Sequence, residues 1–293
     1  MSRIIYLETT AVIDSVFKAF PDINSIVNSS KRKLTSQYVK MEILKGFLSY
    51  LVLLHNRLVQ TNNWSEIQQY ISNLSQASRR YHLGAILDAL TAFWKKIDQK
   101  RPTVSADKPR MTFSEIFLRD IRSFLRIWIR DFFKRIDALA DEVLNPMNCY
   151  VDIKPPKLID NLFVTPSRCP NSTSECEIKK FFEDNLKDFT LIFEKLNQLP
   201  QNVIDEETKR RMAALNKIIK KLLHRNRDFS NYSQREKLCW DCGDAIQVVI
   251  SPPDALVVNR NERHFKPICE AIQRECMTYS SPRSNRTPTC HPD

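Results

Sequence analysis

Residues 3–13, RIIYLETTAVI, form an apolar, β-branched run interrupted by a single carboxylate, Glu8. A strand with one solvated face alternates polar and apolar residues. A run without that alternation fits a strand buried on both faces, as in a parallel sheet covered by helices. The run therefore predicts a parallel strand whose end carries Glu8, and with it an α/β core. Leu34–Ser36 reads as a second brief strand that feeds a helix from Gln37 onward. Near the other end, residues 235–276 read as helix, break (SPPD), strand (ALVVN, 255–259) and helix (266–276), a unit suited to the same sheet.

Between these ends the pattern is helical. Candidate helices cover 38–60, 64–80, 82–99, 113–142, 177–197 and 206–228, with TVSADKPR at 103–110 as a clear loop. Residues 145–176 change character: Pro146, Pro155, Pro156, Pro166 and Pro170 stand there with three cysteines, so this irregular segment needs some other staple. At 293 residues the chain can form one large domain or two unequal ones. The expected organisation is a discontinuous α/β/α core with a parallel sheet from residues 1–48 and 200–279. A large, mainly α-helical insertion covers 49–199, and 280–293 is expected to be a disordered tail.

Only three glycines occur, Gly46, Gly84 and Gly243, which excludes a glycine-rich phosphate-binding loop. The longest apolar stretch, Phe47–Leu54, is too short to cross a bilayer. Glu8 and Asp14 interrupt the apolar N-terminus, and no small-residue cleavage site follows, so the expected compartment is the cytoplasm and no membrane partner is expected. A net charge of +11 and a pI near 9.3 point to an anionic partner, with nucleic acid as the first candidate.

Four short stretches carry acidic or polar residues at places where they can meet. YLETTAVID (6–14) presents Glu8 at a strand end, and TSQYVKMEILKG (35–46) presents Glu42 on a helix. GDAIQVVI (243–250) opens a helix with Asp244, and VVNRNERHF (257–265) places Asn261 just after a strand. In order and residue type, these stretches resemble the motifs of the PIN-domain nucleases. The resemblance covers roughly the first 48 and last 50 residues. It implies a PIN-like three-layer core and a site in which Glu8, Glu42, Asp244 and Asn261 hold Mg²⁺ or Mn²⁺. The implied function is divalent-metal-dependent hydrolysis of phosphodiester bonds, in RNA rather than DNA, with an inhibitor protein or a second copy of the chain as further candidate partners. Hard cations of this kind take oxygen ligands, and parallel strand ends and helix starts converge on one crevice. Two departures are visible. Glu8 stands where the family usually has aspartate, and Asn261 offers an oxygen without charge, with His264 where aspartate is more usual. Both lower the expected metal affinity, so the alternative is a catalytically weakened PIN-like module that binds nucleic acid or protein.

Two further clusters stand out. In FSEIFLRDIRSFLRIWIRDFFKRI, Arg119, Arg122, Arg126, Arg130 and Lys134 recur every three or four residues and share one helix face. Such a ladder can track phosphates or can simply be solvated. A second basic helix carries Lys209, Arg210, Arg211, Lys217, Lys220, Lys221, His224 and Arg225. The CWDC pair, Cys239 and Cys242, directly precedes Gly243. With Cys149, Cys169 and Cys176, Cys239 makes a candidate structural Zn²⁺ site that would staple the proline-rich segment, against the alternative of independent buried thiols.

Overall fold

The computed structural model describes residues 3–18, 20–61, 63, 65–66, 69–70, 72, 113–147, 154–165, 177–200, 202, 204–223 and 239–279. Five short strands form one parallel sheet: β1 (Ile4–Leu7), β2 (Arg32–Ser36), β3 (Glu142–Leu144), β6 (Leu256–Asn259) and β7 (Cys276–Thr278), in the order β3-β2-β1-β6-β7. β1 is central. It aligns Ile4 with Arg32 on one side and Ile5 with Leu256 on the other, so the two ends of the chain are joined in the middle of the sheet. Tyr6, Leu7, Val257 and Val258 are fully buried, as strands covered on both faces require.

The strand is shorter than the apolar run suggests, because it ends at Leu7 and α1 (Thr9–Phe17) begins two residues later. The Glu8 carboxylate accepts hydrogen bonds from the Thr10 and Ala11 amides at 2.7 and 2.9 Å, which satisfies two of the orphan donors of the first turn. Burial of Ala11 and Val12 then outweighs the β preference of the branched residues. α2 (Pro21–Ser29) leads to β2. α3 (Gln37–Ile43) follows, with Ser36 Oγ accepting from the Val39 amide at 3.2 Å as its cap. A π-helical turn, Leu44–Leu48, joins α3 to α4 (Ser49–Thr61).

α5 (Phe113–Leu139) runs antiparallel to α3 and α4. Its Asp137 pairs with Lys40, its Phe132 packs against Phe47 at 5.2 Å, and its Arg122 and Arg126 act electrostatically on His55. Phe17 stacks on Trp128 at 4.2 Å, which ties α5 to α1. α5 delivers the chain to β3, which pairs with β2. The edge strand therefore comes from within the stretch assigned to the helical insertion, and residues 49–199 do not lie wholly outside the sheet.

The proline-rich stretch contains a two-stranded antiparallel hairpin, β4 (Lys157–Ile159) and β5 (Leu162–Val164). Its turn residues Asp160 and Asn161 have φ of 46° and 66°, the left-handed pair that matches strand twist in a two-residue hairpin loop. Asn56 on α4 clamps it, donating to the Phe163 carbonyl and accepting from the Phe163 amide, both at 2.8 Å.

α6 (Ile178–Asp184), α7 (Leu186–Asn197) and α8 (Glu206–Leu223) pack beside α9 (Gly243–Ile250) and α10 (Glu262–Ala271). The last helix starts and ends earlier than its pattern suggests. Gln273 adopts φ 55°, and the Arg274 amide bonds the Cys269 carbonyl at 2.8 Å, closing the helix so that Cys276–Thr278 can join β6 as a strand. No helix of the described residues is long and apolar enough to cross a membrane. The tail at 280–293, most of residues 64–99, and His224 and Arg225 lie outside the described residues.

Candidate metal centre at the strand ends

β1 and β6 are neighbours, and the chain leaves them for opposite edges of the sheet, to β2 and to β7. The carboxyl ends of two such strands frame the crevice where open α/β sheets bind ligands. Glu8 directly follows β1 there and is buried. Burial pushes its carboxyl up to about 8 despite the two amide donors, and the charges of Asp244 and Asp14 push the same way.

Glu42 comes to the same place from α3. Thr9 Oγ1 and Gln247 Nε2, the latter at 2.7 Å, both donate to Glu42 Oε2, while Gln247 Oε1 accepts from the Thr9 amide at 3.2 Å. Gln247 thereby ties α9 to α1 and α3. Burial raises the Glu42 carboxyl to about 7. The Thr9 hydrogen bond opposes that rise, the Asp244 charge adds to it, and Tyr38 and Lys45 oppose it further. Gly243 makes this approach possible, since a Cβ built there would stand 2.5 Å from Glu42 Oε1. Two of the expected ligands therefore share one electrostatic neighbourhood with Asp244.

Asp244, in the first turn of α9, is ion-paired to Arg211 of α8. On its far side stands His264, whose Nδ1 is 3.7 Å from Asp244 and 3.6 Å from Glu207. Glu207, Asp244 and His264 each offer one ligand atom, and these atoms lie within 4.8 Å of one another, so the group could hold a metal ion. Asn261 takes a different part. Its amide nitrogen lies 2.9 Å from His264 Nδ1, and His264 Nε2 lies 3.0 Å from Asp205. The consistent tautomer has His264 Nε2–H donating to Asp205, with Nδ1 accepting from Asn261. Burial raises the Asp205 carboxyl, but hydrogen bonds from His264 and Thr208 more than offset this and hold it below the usual carboxylate range. Asn261 thus orients the imidazole and occupies its Nδ1 lone pair, so His264 could hold an ion through Nδ1 only after Asn261 has turned away.

Sequence reasoning missed Glu207 and Arg211 as site residues because they sit in a helix of charged residues. A signal was nevertheless present. Arg211 precedes Ala214, Leu215 and Ile218 by three, four and seven residues, the spacing of the buried stripe of α8, and its side chain is only 3% exposed.

The arginine ladder lies on α5 with Arg119, Arg126, Arg130 and Lys134 exposed and Arg122 partly so. Arg119 pairs with Asp120 at 3.0 Å and Arg130 with Asp131 at 2.8 Å. Lys134 is near the sheet end of α5, and Arg119 is toward the far end. Cys149, Cys169 and Cys176 of the candidate zinc site lie outside the described residues; Cys239 is partly buried, and its carbonyl accepts from Tyr38 Oη at 2.7 Å. Comparison with known proteins found no family model, no curated protein and no solved structure that matches this chain.

Proposed function

We propose that the chain is a divalent-metal-dependent PIN-like nuclease that hydrolyses phosphodiester bonds in RNA. The observation that carries this reading is the group Glu207, Asp244 and His264, whose ligand atoms lie within 4.8 Å of one another, with the buried carboxyls of Glu8 and Glu42 in electrostatic reach of Asp244. The donor set fits a hard cation: two carboxylates with an imidazole, beside two buried carboxyls whose charged form is disfavoured by burial and which a nearby divalent ion would stabilise.

Asp244 with Glu207 and His264 would hold Mg²⁺ or Mn²⁺, with Glu42 and Glu8 as the neighbouring carboxyls. The ion would lower the pKa of a bound water and stabilise charge on the phosphoryl oxygens. Thr9 and Gln247 fix the Glu42 carboxylate, and Asp205 holds the His264 ring through Nε2, so that Nδ1 would face an ion once Asn261 releases it. The cations of α5 would hold the substrate backbone without reading its bases. The preference for RNA rests on the family resemblance.

A second reading is a PIN-like module that binds nucleic acid without cutting it. The Arg211–Asp244 pair favours it, because that guanidinium already neutralises a ligand carboxylate. Incubating the purified chain with labelled single-stranded RNA and DNA, in Mn²⁺, Mg²⁺ or EDTA, separates the readings. RNA cleavage that EDTA stops is the expected result. Cleavage that persists in EDTA overturns the metal mechanism, and binding without cleavage selects the second reading.

A further inference from the structure

We infer that Arg211 is a built-in counter-ion that competes with a divalent metal for Asp244, so that the metal can engage this carboxylate only when the guanidinium swings away. The inference rests on reading the crevice as a metal centre and concerns how that centre is gated. Arg211 reaches Asp244 Oδ2 through Nη2, and the same nitrogen lies 3.6 Å from Glu207. These are two of the three residues whose ligand atoms could surround an ion. A divalent ion on Asp244 and a guanidinium on the same oxygen would place like charges side by side in a water-poor site, so the two states exclude each other.

The rest of the Arg211 side chain gives it a reason to move. It is buried, yet Nε and its other terminal nitrogen, Nη1, find no hydrogen-bond partner among the described residues. Buried guanidinium donors are rarely left unpaired. The present position satisfies Asp244 well and Arg211 poorly, which suits a side chain held by one strong contact. Apparent metal affinity would then be the intrinsic affinity reduced by the fraction of molecules with Arg211 displaced.

The test is Mn²⁺ binding to the full chain, followed by the electron paramagnetic resonance signal of free Mn²⁺. Arg211→Gln keeps a polar, shorter side chain and removes the competing charge, and it should bind Mn²⁺ at least about tenfold more tightly than the wild-type chain, with Arg211→Lys in between. Equal or weaker binding by Arg211→Gln overturns the inference, as does a failure of both proteins to bind Mn²⁺. If Arg211→Gln does not fold, the ¹⁵N resonance of Arg211 Nε–H in the wild-type chain, assigned with Arg211→Lys, reports directly. It should shift and exchange faster as Mg²⁺ is added, and a signal unmoved by Mg²⁺ overturns the proposal. The nuclease reading fails separately: tighter Mn²⁺ binding by Arg211→Gln without RNA cleavage leaves the gate standing and removes the activity. RNA cleavage with equal Mn²⁺ affinities does the reverse.

Discussion

The crevice at the strand ends and the outer face of α5 are both dense in charge, but they treat it in opposite ways. On α5 the side chains of Arg119 and Arg130 are 59% and 63% exposed, and each pairs with the aspartate that follows it. Water and a neighbour solvate these cations at little cost. In the crevice Glu8 and Arg211 are each 3% exposed, and Glu42 and Asp244 are partly buried. There the charges depend on one another, so the loss of one strands the next. Both regions follow helical spacing, so spacing cannot distinguish a solvated charge from a charge under tension. Burial does.

The sharpest way to break this contrast is Asp244→Asn. It keeps the volume but removes the nearer of the two carboxylates around the buried Arg211, leaving Glu207 at 3.6 Å, and breaking a buried pair costs up to about 3–5 kcal/mol. A large fall in the denaturation midpoint is expected, together with loss of RNA cleavage. Arg130→Ala should leave the midpoint where it is. Equal effects from the two substitutions would remove the distinction between the regions.

Next in size is a pH effect confined to the crevice. The carboxyls of Glu8 and Glu42 rise from 4.5 to about 8 and about 7 on folding, so between these limits the folded chain binds more protons than the unfolded one. Stability must therefore fall as pH rises from about 4.5 to 8, by up to about 1.4 kcal/mol per pH unit for each group. Denaturant titrations at several pH values should show this decline. Saturating Mg²⁺ should flatten it, and Glu8→Gln should remove Glu8's share. A flat stability through this window would mean that the two carboxyls are well solvated, and a rise would mean that a counter-charge holds them ionised.

The smallest expected effect tests the exposed face. Reversing Arg122, Arg126 and Arg130 to Glu should weaken RNA binding across all sequences. It should also reduce the slope of log affinity against log salt by about 2, since each phosphate contact on a single strand contributes about 0.7. An unchanged slope with intact folding would reassign this face to solvent or to a protein partner.

The parts of this picture that the sequence reveals are those fixed locally. A lone carboxylate in an apolar run marks Glu8 as a strand-end group, and Asp244 in GDAIQVVI marks a helix start. The parts that stay hidden are set by contacts distant along the chain. β3 and β7 have three residues each, too few for a periodic signal, and they are strands only because β2 and β6 offer partners. α1 begins where an extended strand was expected, because Glu8 turns back onto the Thr10 and Ala11 amides. Arg211 looks like one cation among many in KRRMAALNKIIKK, and only the packing of α8 turns it inward to Asp244. His264 occupies a recognisable motif position, but its link through Asn261 and Asp205 becomes visible only when α8 and α10 are side by side.

The position of β1 also has a consequence in time. It is the centre of the sheet, yet Ile5 pairs with Leu256, about 250 residues later in the chain. At synthesis rates of about 5–20 residues per second, β1 leaves the ribosome roughly 12–50 s before β6 exists. For that interval an apolar strand has one neighbour, β2, and an open edge that any other extended segment can join. The crevice, which needs the ends of both strands, is therefore among the last features to form on the ribosome. A nascent chain stalled before residue 240 would carry Glu8 and Glu42 without Asp244 and Gln247, the partners that give them their chemistry.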